Sequence, residues 1–390
     1  MTSTVKTRWR NGAVLALSFV GAPICSTGQA VSRSHAAAQQ RRELRQGESI
    51  AFSAPPPGAI VAGRKCDPDG NIYLVYSGTP GEMLSKPHGS WDLPITKISL
   101  DSHNALQYSL QSFPDYETQY RESFNVDRWG NVYGLVTAFP RTIDPQDSHR
   151  PDHLIAKFKD DGTVDSTVVL SNPSAGRLDP TSFDVFSDGS FLVTGILVAS
   201  SEGSQKALRP FTGIFDRSGR LIRELTLPND VGPDSSAGQP ETGKASSSKA
   251  WGLEIGQGAM ISGPDGNVYV LRAAAPPQLY GISPGGEIVH QVKIPLPAED
   301  LSLLELSFVD SNTLFAEFSP VASKPDVKAD FGTRIVIGLV DLSTGELKVA
   351  YRMPTGMSNL LPGCPTARNE FSFIGTGKNG KLEVLEFSDR

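Results

Sequence analysis

Short apolar and aromatic runs alternate with polar turns along almost the whole chain. Val, Ile, Phe and Tyr recur a few residues at a time, and Gly, Pro, Asn or Asp bounds each run. The two-residue alternation predicts half-buried strands, and no long stretch keeps a helical period. Five runs follow the same small turn. They read Asp67-Pro-Asp-Gly-Asn-Ile-Tyr-Leu-Val, Asp127-Arg-Trp-Gly-Asn-Val-Tyr-Gly-Leu-Val, Phe186-Ser-Asp-Gly-Ser-Phe-Leu-Val, Gly263-Pro-Asp-Gly-Asn-Val-Tyr-Val-Leu and Val309-Asp-Ser-Asn-Thr-Leu-Phe-Ala. One such unit cannot bury its own apolar face and must stack on neighbours.

A second hairpin is interleaved with the first. Its turns are Ser102-His-Asn, Asp161-Gly, Ser218-Gly, Gly285-Gly and Thr344-Gly, each between two alternating strands. Gly or Asn suits such turns because the backbone there often takes positive φ. The two hairpins make a four-strand unit a-b-c-d. The first turns carry Gly70, Gly130, Gly189 and Gly266, with Asn312 in the fifth place. Four-stranded sheets at this spacing predict an all-β, six-bladed β-propeller. The sixth unit has a strand at Leu360–Arg368, another at Glu370–Gly375 and a third at Lys381–Phe387, and then runs out. Ser49–Ser53 is expected to supply its missing d strand, so that the N-terminal strand closes the ring. Closure would pair backbone groups that an open edge leaves unpaired.

The combination Asp-x-x-Gly-Asn-(Val/Ile)-Tyr-(Val/Leu) with a Phe-x-x-(Asp/Ser)-Gly hairpin resembles NHL-type and TolB-like six-bladed propellers of bacterial exported proteins. The resemblance covers most of residues 49–388 and speaks to architecture. Families sharing it include binding scaffolds, gluconolactonase- and regucalcin-like hydrolases, and signalling ectodomains, so function has to be argued from a site.

Residues 1–30 read as a secretory signal peptide. Lys6, Arg8 and Arg10 form a positive head, Ala13–Val20 is a short apolar run, and Gly28 and Ala30 stand at a cleavage spacing. Ala22-Pro-Ile before Cys25 matches a lipidation box poorly. Residues 31–46, rich in Ala, Gln and Arg, read as a flexible linker, and residues 47–390 as the propeller. Without residues 1–30 the formal charge falls from -6 to -9, because three cations and no acid are removed. A mildly acidic chain gives no electrostatic case for nucleic acid or an anionic membrane. The expected destination is the periplasm or the medium.

The two other cysteines, Cys66 and Cys364, fall in a strands of the first and last units. An oxidising compartment permits a disulfide between them. In the chain-entropy model a loop this long contributes about 4–5 kcal/mol. Two separate buried thiols are the alternative.

The b–c and d–a loops share one face and are long, at residues 77–93, 111–122, 138–152, 229–250 and 319–333. Rigid scaffolds concentrate binding on such loops. His88, Trp91, Tyr116, Tyr120, Arg121, Arg141 and Arg150 stand there, a mixture suited to a protein or glycan ligand. His149 and His153, with Asp144, Asp147 and Asp152, read as a polar loop, because Pro145 and Pro151 break the helix a zinc site would need. The low-complexity stretch 229–250 carries no chemistry. The acidic turns read as turns, since Asp and Asn bond their own backbone there. No Ser/His/Asp signature, phosphate loop or dinucleotide fingerprint is present. The favoured expectation is therefore a non-catalytic exported binding propeller with no cofactor. The alternative is a metal-dependent hydrolase of the gluconolactonase type, with a divalent metal on the axis. Glu122, Asp179 and Glu254 are its candidate carboxylates.

Overall fold

The computed structural model describes residues 41–52, 60–77, 94–141, 151–173, 176–199, 208–228, 260–272, 276–298, 301–320, 336–352, 360–367, 370–376 and 381–389. Among them every regular element is a β-strand. Two strands precede the first blade, β1 (Arg41–Glu43) and β2 (Arg45–Ala51). Blade 1 holds β3 (Ile60–Cys66), β4 (Ile72–Ser77), β5 (Ile95–Ser99) and β6 (Asn104–Tyr108). Blade 2 holds β7 (Tyr116–Val126), β8 (Val132–Pro140), β9 (Asp152–Phe158) and β10 (Val164–Val169). Blade 3 holds β11 (Gly176–Val185), β12 (Phe191–Ala199), β13 (Leu208–Phe215) and β14 (Leu221–Leu225). Blade 4 holds β15 (Met260–Ser262), β16 (Val268–Arg272), β17 (Gln278–Ile282) and β18 (Ile288–Lys293). Blade 5 holds β19 (Leu301–Asp310), β20 (Thr313–Pro320), β21 (Val336–Asp341) and β22 (Leu347–Arg352). Blade 6 holds β23 (Leu361–Ala367), β24 (Glu370–Thr376) and β25 (Leu382–Ser388). Within each blade consecutive strands pair antiparallel. The innermost strands β3, β7, β11, β15, β19 and β23 touch in that order, and β23 returns to β3. The fold is a six-bladed β-propeller.

The repeated turn has a direct physical explanation. Asp67 Oδ1 accepts the backbone N–H groups of Asp69 (3.0 Å) and Asn71 (2.9 Å), while Oδ2 accepts Asn71 Nδ2 (2.8 Å) and the Tyr73 hydroxyl (2.9 Å). Asp127 repeats all four contacts with Trp129, Asn131 and Tyr133. In blade 4 the acid moves two places along, and Asp265 takes Asn267 and Tyr269. One carboxylate thus satisfies the turn and fastens a buried tyrosine of strand b. Burial, then the neighbouring Asp, pushes the Tyr73, Tyr133 and Tyr269 hydroxyls far up, so they donate at any ordinary pH.

The core is a set of wedges between neighbouring blades. Tyr73, Tyr108 and Phe158 fill the wedge between blades 1 and 2; Leu135, Phe183 and Phe211 that between 2 and 3. Ile214 and Tyr280 pack between blades 3 and 4, Leu279 and Phe318 between 4 and 5. The outer rim is stitched by backbone contacts. Ser109 N donates to Gly162 O (3.1 Å), and Ser171 N to Gly219 O (2.8 Å). Both glycines have positive φ, and a Cβ on Gly219 would lie 2.0 Å from Val169 O. Blade 1 differs, with His103 taking the left-handed conformation at φ 55.

Ring closure involves more chain than the composition indicates. The closing strand is Arg45–Ala51, in place of Ser49–Ser53, and pairs antiparallel with β25 with Ser49 opposite Leu385. Phe52 is buried and donates its N–H to Leu382 O (2.7 Å), and Ser53 lies outside the described residues. The segment expected as linker up to residue 46 is ordered from Arg41. β1 pairs parallel with β22, Arg42 opposite Tyr351, adding a fifth strand to blade 5. Leu44, between the two strands, is buried with Phe315, Tyr351, Phe371 and Phe387. Low apolar content hid this segment because β1 and β2 are held by backbone hydrogen bonds, and the side chains of β2 face mostly outward. Across the next seam Cys66 and Cys364 are joined by a disulfide, with Cα atoms 5.6 Å apart and a sequence separation of 298.

Candidate functional site

Two regions carry chemistry: the axis lined by the inner strands, and the long-loop face. On the axis, blade 1 sends two cations across the ring. Arg64 Nη2 reaches past blade 6 to blade 5, donating to Glu305 Oε2 (2.8 Å) and Glu317 Oε2 (2.7 Å). Lys65 Nζ crosses to the opposite blade and donates to Met260 O (3.1 Å). The Arg64 and Glu317 side chains are only 9% and 7% exposed, whereas Glu305 keeps 26%. Burial works to lower the pKa of Arg64, but the two carboxylates outweigh it and the net shift is upward. Burial raises Glu317, and Arg64 offsets this in part.

Asp184, at the end of β11, is fully buried. Its Oδ1 accepts Val185 N (2.6 Å) and the Ser262 hydroxyl (2.5 Å); Oδ2 has no hydrogen-bond partner within range. Burial pushes the carboxyl up to about 6, against the pull of Ser262, Val185 N–H, Lys65 and Asn125. Asn125 Nδ2 itself donates to Phe183 O (2.8 Å).

Where the a strands end, the axis widens into a cavity of about 240 Å³. Lys65, Asn125, Ser262, Glu305 and Ser307 supply its polar groups, and Val126, Ile261 and Phe308 part of its apolar wall. The cavity opens among the tight a–b turns, opposite the long loops. Arg128 lies on its rim, donates from Nη1 to Pro264 O (2.6 Å), and sits 4.9 Å over the Trp129 ring. Trp129 is 55% exposed. Short turns at this end leave little sign of it in the sequence. The available signal was Arg128-Trp129, standing where other copies carry Pro-Asp or Ser-Asp.

On the long-loop face the structure places part of the expected set. Tyr116, Tyr120 and Arg121 belong to strand β7 and not to a loop, which here is confined to residues 109–115. The loop expected at residues 111–122 is shorter because its second half is strand, and an inner strand beside the axis tolerates polar side chains. The Tyr116 hydroxyl donates to Asp152 Oδ2 (3.0 Å), and Arg141 Nε donates to Tyr116 O (2.9 Å). Burial, then the Asp152 bond, pushes the Tyr116 hydroxyl up to about 12. The half-buried Arg121 runs along β8, its Cδ against Gly134. For Tyr120 only the strand position, opposite Thr137, is described. His88, Trp91 and Arg150 lie outside the described residues, as do Asp144, Asp147, His149 and Glu254. His153, expected in a solvated loop, is buried in β9, its Nδ1 3.0 Å from Thr137 Oγ1. Burial lowers its pKa, with Asp179 and Asp152 pulling up and Arg177 pushing down. Pro151 breaks a helix but not a strand, and β9 begins at Asp152, just after it.

A divalent metal would need oxygen ligands converging on an open point. Glu305 and Glu317 converge on the Arg64 guanidinium instead, and Asp184 gives Oδ1 to Val185 N and Ser262. Asp179 is exposed and away from these acids, and Glu122 is described by its backbone alone. Among the described residues no three His, Cys, Asp or Glu side chains gather as a metal set. The described axial residues do not fit a metal centre.

No protein-family model and no curated protein matches the chain. Solved structures do align with it. A protein of unknown function from Dyadobacter fermentans aligns with a TM-score of 0.51 and 11% identity, over 89% of this chain and 99% of its own. A protein with a provisional gluconolactonase name aligns at 0.41 and 12%, over 90% and 97%. An α-L-arabinanase from Penicillium chrysogenum, complexed with arabinobiose, aligns at 0.43 and 11%, over 88% and 98%. At these identities the first likeness speaks to fold alone, and the other two are too distant to carry an argument.

Proposed function

We infer that the chain is a non-catalytic binding propeller that engages a protein or glycan ligand through its long-loop face. The observation that carries this reading is the pairing of Arg64 with both Glu305 and Glu317. A hydrolase of the gluconolactonase type would spend axial carboxylates on a divalent cation. Here a side-chain cation already stands between them. The long-loop face offers Tyr116 and Arg141, held in place by Asp152 and by the Tyr116 carbonyl. A fixed aromatic beside a guanidinium is a common way to grip a partner at low entropic cost. Export to the periplasm or the medium belongs to the same reading, and the Cys66–Cys364 bond suits an oxidising compartment.

The test has two arms. Purified protein is assayed for hydrolysis of D-glucono-1,5-lactone with Ca²⁺, Zn²⁺ or Mn²⁺ added, and is screened on an immobilised glycan panel. Glycan binding weakened by Tyr116→Ala or Arg141→Ala supports the reading. Metal-dependent lactone hydrolysis overturns it in favour of the hydrolase.

A further inference from the structure

The opposite end of the axis presents a second, separate feature. We propose that the cavity at the a–b turn face is a binding site for one neutral, polyhydroxylated ring of the monosaccharide class. The site is distinct from the long-loop face and stands whether or not that face binds a ligand.

Size comes first. A cavity of about 240 Å³ falls just below the roughly 300 Å³ at which pockets for drug-sized ligands begin. It holds one ring and excludes a polymer lying along it. Charge comes second. Lys65 and Arg128 share the lining with Glu305 and Asp310, while the two further acids there, Asp67 and Asp127, spend both oxygens on their own turns, so both signs are present with an excess of acid. A strong anion or cation would gain at one wall and lose at the other. A neutral ligand that donates and accepts at many points suits both walls. Lys65 gives one of its three N–H groups to Met260 O, while Asn125, Ser262 and Ser307 add amide and hydroxyl groups to the lining. Glu305 turns Oε2 to Arg64 and keeps 26% of its side chain exposed, in contrast to Glu317. The apolar face of a sugar ring finds Val126, Ile261 and Phe308.

Two further observations point to a ligand. The first adjoins the lining residue Ser262. Asp184 Oδ2 is buried without a hydrogen-bond partner, and its other oxygen takes the hydroxyl of Ser262, a lining residue. Such a group is unusual in a folded protein and is often tied to function. The second is the rim. The Asp127 turn is built with the same contacts as the Asp67 turn, and both glycines sit at φ 79. The turn geometry therefore does not require Arg128 and Trp129. An exposed indole braces a guanidinium that spans the mouth, which places donors and an aromatic face where a sugar would enter.

The experiment is saturation-transfer-difference NMR on the full chain with D-glucose, D-galactose and L-arabinose. D-glucuronate and glycine serve as charged and zwitterionic probes. At least one neutral sugar should bind and outcompete both. Arg128→Ala and Trp129→Ala alter an exposed turn, and each should weaken binding about tenfold, the equivalent of one good aromatic or charged contact. Ser307→Phe should fill the cavity and abolish binding, with the thermal transition of each variant confirming that it is folded. The proposal is overturned if no neutral sugar binds. It is equally overturned if glucuronate or glycine binds more tightly, or if binding survives the rim and filling substitutions in folded protein.

Discussion

Asp184 should make this protein less stable as pH rises through the mildly acidic range, the reverse of the usual behaviour of a carboxylate. Its carboxyl is fully buried and its pKa is raised from 3.8 to about 6. The folded state therefore holds a proton that the unfolded state has released over that interval. With more protons on the folded side, stability falls as pH climbs from about 4 to about 6 and is level beyond. At 1.36 kcal/mol per pK unit, a shift of about two units corresponds to about 3 kcal/mol. Acids such as Asp216, lowered to about 2 first by the Ser218 hydroxyl, act in the opposite sense from about pH 2 to about 4 and blur the lower end of the window in a single profile. Asp184→Asn removes the ambiguity. The amide oxygen still accepts Val185 N–H and the Ser262 hydroxyl, and the side chain no longer titrates. Urea melts of both proteins at pH 4 and pH 8 give a double difference in which every other acid cancels. The variant should gain about 2 kcal/mol relative to the parent between those two pH values, most of the full shift, whatever constant cost the amide imposes. An offset between the two proteins that does not change with pH would refute the reasoning.

Three further outcomes are expected. Arg64→Leu should destabilise the protein by about 3–5 kcal/mol in denaturant melts, because it leaves Glu317 buried without its counter-ion. A cost near zero would show the ion pair to be dispensable. Leu44→Ala should cost about 2–4 kcal/mol, since Leu44 fills the space between the two closing strands, and deleting residues 41–51 should increase aggregation, read by light scattering. Replacing Cys66 and Cys364 together by Ser should lower stability by at most about 5 kcal/mol in the chain-entropy model, and a parent protein that has been reduced and alkylated first should show a similar loss.

The architecture was readable because its determinants are local. The Asp-x-x-Gly-Asn-x-Tyr run writes a turn and a tyrosine anchor into seven positions, and each copy can be recognised without its neighbours. Blade count and the role of the N-terminal segment in closing the ring followed from that repeat. What local pattern does not encode is which polar residues meet across the ring. Arg64 and Glu317 are 253 residues apart, and Lys65 and Met260 are 195 apart. Nothing about either residue in isolation indicates the contact. The same applies to β1, whose partner is chosen by backbone pairing and not by side-chain type. Candidate residues were sought on the long loops because length is visible in a sequence. The cavity among the short turns is produced by blades 1, 2, 4 and 5 converging on an axis, which no single stretch of sequence displays.

The route of the N-terminal segment has a consequence for synthesis. Ser49 must find Leu385, and Arg42 must find Tyr351. A ribosome makes residues 41–51 before any blade, yet their partners emerge only after almost everything else has been translated. Five sheets can assemble in order behind the nascent front, but the sixth waits for both of its contributors. Until then an early segment stays solvated and a late sheet keeps a bare flank. Contacts so remote in sequence are slow to form, so the interval before the circle locks is when the molecule is most open to misassembly or to the help of a chaperone.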